Sequence, residues 1–180
     1  MELVYNKIVE VFNAHPEVFT DRSLPVPRTI DIDMGQAEDP ESFEIFLPGI
    51  FVNWSISPGT DGPDILTLDV SVLQEPGTGT ENFSERLTEG LEYMRLLKAI
   101  KYLLNKLSTE ETSPLMYAGE RPAATPFFKY HIVSYKCGID QYTDTIHRPE
   151  MVDGSAESLR ITQGRVKIKP LDDTPVIETY

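Results

Sequence analysis

The chain has 180 residues, 40% of them hydrophobic and 9% aromatic, which suits one domain with some extension around a real core. Its formal net charge of −13 argues against tight, non-specific nucleic-acid binding, which needs basic surface. Cys137 is the only cysteine, which excludes an intrachain disulfide framework and a cysteine-based zinc site and makes a reducing compartment the default.

Residues 2–14 read as a first helix, with Val4, Ile8, Val11 and Phe12 on one face. The segment is amphipathic and lacks a basic stretch followed by an apolar run, so it does not read as a signal peptide. His15-Pro16 ends it, because the residue before proline avoids the helical region. Residues 17–29, with Pro25 and Pro27, form an irregular connection.

Thr29 to Met34 alternates strictly and predicts a strand with Ile30, Ile32 and Met34 facing in and Asp31 and Asp33 facing out. Two acids at that spacing can also ligate a divalent metal. Gln36 to Ser42 is a polar, acidic loop. Phe43 to Ser57 reads as the next strand, interrupted at Pro48-Gly49. Trp54, the only tryptophan, serves either core or rim packing or a partner contact. After a turn at 58–63, Ile65 to Gln74 is a strand with Leu66, Leu68, Val70 and Val72 inward and Thr67, Asp69 and Ser71 outward. The two strands make a long hairpin.

Residues 82–107 predict one long amphipathic helix. Leu87, Leu91, Met94, Leu97, Ile100, Leu104 and Leu107 form its stripe, widened by Leu96 and Leu103. Asn82 is placed to cap it, with Glu85 as reciprocal partner. Acids precede bases along it, in line with the helix dipole. Gly90 is its weak position and suits close approach of a neighbouring backbone. Residues 108–126, with three prolines, look irregular, and Phe127 to Ile139 is a β-prone run paired on both sides. His131 and Cys137 share its parity and read as core residues.

Residues 140–158 are acidic and loop-like. Leu159 to Pro170 reads as a hairpin turning at Gln163-Gly164, with Arg160, Arg165, Lys167 and Lys169 on one side. This basic cluster is either a solvated face or a docking patch for an acidic neighbour, such as another copy of the chain. The tail LDDTPVIETY is either unstructured or reaches a neighbour through Val176, Ile177 and Tyr180. The acidic excess lies in residues 1–90, whose bases are Lys7, Arg22, Arg28 and Arg86, whereas acids and bases balance over 91–180. Such a half-chain serves solubility, repels DNA or meets a basic partner.

No G-x-S-x-G elbow, Walker loop, H-E-x-x-H, EF-hand loop or GxGxxG pattern is present, and no repeat period emerges. Acid pairs such as Asp31/Asp33 and Asp172/Asp173 are expected by chance in so acidic a chain. No cofactor and no metal site is assigned.

The order helix, strands, hairpin, long helix, strand resembles the tail terminator (tail completion) proteins of long-tailed bacteriophages and prophages. The matching stretches are ELVYNKIVEVFN, PGIFVNWSI, DILTLDVSVLQE, RLTEGLEYMRLLKAIKYLLNKL and FFKYHIVSYKCGI, which span roughly residues 2 to 140. The segments 15–42 and 140–180 depart from the shorter members. The resemblance implies an α+β domain over 1–142, with an antiparallel sheet carrying a long hairpin and packed by one long helix and an N-terminal helix. Residues 143–180 are then an extension with a β-hairpin. It further implies a non-enzymatic homo-oligomer, a hexameric ring capping the head-proximal end of the tail tube. Its partners are the tail tube and head connector proteins, DNA passes without specific binding, and no membrane is involved. The expected locations are the bacterial host cytoplasm during assembly and the virion tail.

Three other readings stand beside it. One is a head-side neck or connector protein, or a part of a contractile injection particle. Another is a metal-dependent hydrolase using Asp31, Asp33 and Asp69. The last is a monomeric adaptor that binds one host partner through a sheet edge or the Trp54 region.

Overall fold

The computed structural model describes residues 1–59, 62–77 and 79–140, and two short strands at 159–162 and 165–168. The chain divides into two compact units, Met1–Thr143 and Asp144–Tyr180.

The first unit is α+β, built on a five-stranded mixed sheet in the order β1-β2-β3-β5-β4. Its strands are β1 (Thr29–Ile32), β2 (Gly49–Ser57), β3 (Asp64–Gln74), β4 (Met116–Ala123) and β5 (Lys129–Ile139). The β2–β3 hairpin is antiparallel, with Gly49 opposite Leu73 and Ser57 opposite Ile65. β3 pairs antiparallel with β5, and β5 with β4. β1 departs from the expected antiparallel pattern and runs parallel to β2, with Ile30 opposite Ile50. A parallel pair needs a crossover, and residues 33–48 supply it without a regular helix beyond one turn at Pro40–Ser42.

Helix α1 (Glu2–Ala14) buries Val4, Ile8 and Phe12, as its spacing predicts. It is tied to the sheet edge where Tyr5 donates its hydroxyl to the Ile30 carbonyl, 3.1 Å. A single turn, α2 (Glu17–Thr20), seats Phe19 in the core within the segment expected to be irregular. Ile8, Phe19, Leu66, Leu68, Val70, Val72, Leu96, Ile100, Leu104 and Val133 all have 0% exposure. Full burial of each such side chain contributes about 1.5–3 kcal/mol.

The long helix divides. Helix α3 is only Leu87–Gly90, and α4 runs Glu92–Leu104, with the chain turning at Leu91. Asn82 lies in a turn rather than at a helix start, and Phe83 is 92% exposed. Just before the break, Gly90 packs directly on the backbone of Gly79. Leu96, Leu97, Ala99, Ile100 and Leu104 face the sheet, while Met94, expected in the stripe, is 65% exposed. α4 ends at Leu104, where Asn105 turns to extended backbone; the next residue, Lys106, has a φ of +63° and its N–H bonds to the Leu115 carbonyl.

Two further expectations change. Residues 116–123 are strand β4 rather than irregular. Pro122 is tolerated there because the strand is outermost and need not donate to a further neighbour. Ile32 and Met34 face solvent, because β1 ends at Ile32 and the chain turns away. Ser71, expected outward, is buried with Leu73 and Phe51. At that end the crossover covers the sheet's second face, with Ile45, Leu47, Phe128 and Tyr130 packed around Phe51 and Leu73.

In the second unit, β6 (Leu159–Thr162) and β7 (Arg165–Ile168) pair antiparallel. The Gln163-Gly164 turn, Lys169, the 141–158 loop and the tail at 171–180 lie outside the described residues.

Candidate functional site

The residues singled out in the sequence fall in separate places. Trp54 stands opposite Leu68, in a row that continues through Tyr135 and Tyr117 across the helix-covered face of the sheet. It is half-buried and packs on the main core. Of the basic hairpin, the register sets Arg160 opposite Lys167 and Thr162 opposite Arg165, within the second unit. The candidate acids are engaged locally. Asp31 accepts from the Ile32 N–H, 2.7 Å, and Asp33 accepts from the Gly35 N–H, 3.1 Å, and from the Ser71 hydroxyl, 3.4 Å. Asp69 accepts from the Ser134 hydroxyl on the neighbouring strand. Among the described residues no three acids, histidines or cysteines converge as metal ligands.

Where β3 ends, a cavity of about 280 Å³ opens between the sheet and the α3–α4 junction. Gln74, Glu75, Pro76 and Gly77 form one side, Arg86, Gly90 and Tyr93 the other, and Lys129 enters from the start of β5. Lys129 sits opposite Gln74 in the strand register and donates to the Gly90 carbonyl at 3.4 Å. The glycines make this geometry. A Cβ on Gly77 would stand 2.9 Å from the Lys129 ammonium nitrogen, and one on Gly90 would meet the Gly79 carbonyl oxygen at 2.4 Å. Sequence reading marked Gly90 as a place of close approach but missed the cavity. The available signals were Lys129, a lone cation at the head of an apolar run, and the glycines at 77 and 79.

Beyond Tyr93 the same face becomes a polar layer beneath α4. Tyr93 meets the His131 ring edge-on, with centroids 6.0 Å apart, and Tyr117 meets Tyr135 likewise at 6.2 Å. Lys101 of α4 pairs with Glu120 of β4 at 2.7 Å and also stands over the Tyr117 ring. The hydroxyls of Tyr93 and Tyr135 and the Nε2 of His131 are buried without a hydrogen-bond partner. Burial raises both tyrosines well above their usual range, so both stay protonated donors, and it lowers His131. The thiol of Cys137, on the same strand, is likewise pushed up by burial and has no activating neighbour among the described residues.

The third feature is an open boundary. β4 is the outermost strand, solvent-exposed along most of its length, with Met116 58% and Tyr117 50% exposed. Its pairing with β5 shifts register between Tyr117 and Gly119, a bulge that Gly119 accommodates at φ +150°. Next to it the sheet face away from the helices is uncovered at one end. There Asn53, Ser55, Lys136 and Ile65 reach solvent, Ile65 at 44%.

These three features define a class no finer than an α+β domain with an open sheet edge and a polar cavity. The chain matches no protein-family model, and no curated protein is similar to it at a significant level. Among the described residues no helix is long and apolar enough to cross a membrane.

Proposed function

We propose that this chain is a structural assembly subunit of a phage or prophage tail, a tail terminator that forms a ring at the head-proximal end of the tail tube. The observation that carries the reading is the edge of β4, which has no further strand beside it among the described residues, with Met116 and Tyr117 exposed beside an uncovered sheet face. An outer strand offers unpaired N–H and C=O groups as a template for another chain. When that template meets a different surface of the next copy, the contact is head-to-tail, and a ring forms where the rotation closes.

Charge supports the same reading. A net charge of −13 suits a subunit lining a passage for DNA, because it does not grip phosphates. The acidic first half and the basic β6–β7 strands supply two complementary patches per subunit. The ring's partners are the tail tube on one side and the head connector on the other, and its place is the host cytoplasm and then the virion tail.

Absolute mass by light scattering over a wide concentration range tests this. Six copies, or a monomer rising toward six, is the expected result. A monomer that also fails to bind purified tail tubes sinks the reading.

A further inference from the structure

We propose that the cavity between β3, the α3–α4 junction and the head of β5 binds a small oxyanion, a phosphate or carboxylate group, with Lys129 as its principal partner. This goes beyond ring assembly and stands independently of it.

The space is of the right size. At about 280 Å³ it holds a small anion with several waters, since a water occupies roughly 30 Å³ of liquid. The lining has the right sign. Lys129 is half-buried, and among the described residues it has no ion-pair partner, only one long bond to the Gly90 carbonyl at 3.4 Å. An ammonium has three donors, so two remain for a ligand. Arg86, exposed and with an interaction of its own, adds positive charge to the same wall.

Two neutral groups complete the wall. Tyr93 lines the cavity and Gln74 lines it opposite, so these parts of the wall beside the lysine are uncharged. The one acid in the lining, Glu75, is exposed, so solvent screens it more than the half-buried lysine. Gly77 has a place in the design as well. Its missing side chain leaves room for the Lys129 ammonium, which a Cβ would approach at 2.9 Å.

The test titrates the full chain with sodium phosphate and with sodium acetate at neutral pH, each against sodium chloride of equal ionic strength. Heat release and the thermal midpoint are both read. Saturable one-to-one binding of one of the two oxyanions, with a midpoint rise that chloride does not give, is expected. Preference for phosphate marks a phosphoryl ligand, and preference for acetate a carboxylate such as a chain terminus. Lys129→Met weakens binding at least tenfold. Gly77→Ala, which displaces the ammonium without removing it, weakens it by a smaller factor and guards against a folding defect in the first variant. Equal responses to chloride and the oxyanions, or equal affinity in the wild type and both variants, overturns the assignment.

Discussion

Gly90 rests on Gly79 so closely that a Cβ on Gly90 would lie 2.4 Å from the Gly79 carbonyl oxygen and 3.0 Å from the Thr80 nitrogen. Both glycines are buried, and Gly79 has a φ of +98°. Two effects compete when Gly90 becomes alanine. Helix propensity favours alanine by about 1 kcal/mol, while overpacking a tight contact costs about 1–3 kcal/mol. The obstacle is main chain, which cannot swing aside as a flexible side chain does, so the clash wins. Gly90→Ala is expected to lose about 1–2 kcal/mol in urea unfolding. A gain in stability would show that the 79–80 segment yields easily.

His131 gives the fold a pH dependence of known sign. Its Nε2 is buried without a partner, and burial holds its pKa below the ordinary 6.5; Glu120 opposes the shift and Lys101 adds to it. The unfolded chain therefore takes up the proton first. The stabilisation is present above pH 6.5 and is lost as pH falls from there through the folded value. His131→Phe keeps the edge-on ring contact with Tyr93 and removes the titration. Its unfolding free energy should fall less steeply than the wild type's just below pH 6.5, before most carboxylates titrate. Parallel slopes would mean that the imidazole is solvated in the folded state.

At the open edge, Met116→Lys places a charge on an exposed side chain and should change monomer stability by no more than about 0.5 kcal/mol. If β4 is a contact between copies, the charge blunts it, as lysines do on natural edge strands. Sedimentation velocity is expected to show a smaller assembled fraction with an unchanged thermal midpoint for the monomer. Unaltered assembly would move the contact away from β4.

The basic strands of the second unit make a separate prediction. Lys167→Glu combined with Lys169→Glu reverses two charges in the basic cluster that, if the proposed ring forms, is the candidate contact for the acidic half of a neighbour. Self-assembly should weaken, most visibly at low salt, where screening is least. Assembly with the same salt dependence as the wild type would remove this cluster from the contact.

Much of the sheet was legible because alternation survives wherever one face is covered and the other is wet. Leu66, Leu68, Val70 and Val72 alternate and are all buried, and Val4, Ile8 and Phe12 lie on one helix face as their spacing requires. The errors arose where a non-local contact overrode a local signal. The stripe from Leu87 to Leu107 is continuous in sequence, yet the helix breaks at Leu91, next to the point where Gly90 meets the distant Gly79 backbone. Ile32 and Met34 alternate like core residues, but stand 38% and 64% exposed. Ser71 looks outward in the strand pattern and is buried only because the 33–48 crossover folds over it. The cavity left only faint signals in the sequence, since the pairing of β3 with β5 joins Gln74 to Lys129 and the α3–α4 region brings Arg86 and Tyr93 to them.

That pairing also sets a timetable for synthesis. β2 and β3 are adjacent in sequence, and their hairpin can close as soon as it leaves the ribosome. The strand that covers the other edge of β3 begins at Lys129 and is translated after both segments of the divided helix, and β4 must then wait for β5 before it has any partner. Through that interval the apolar side of β3 has α4, β2 and the N-terminal helices for shelter but its second edge stays unpaired, because distant strands pay their loop-closure cost before they are repaid. A nascent chain stopped before Ile139 therefore leaves the second edge of β3, one of the two longest strands among the described residues, without its full partner, which makes that edge the aggregation-prone site during synthesis.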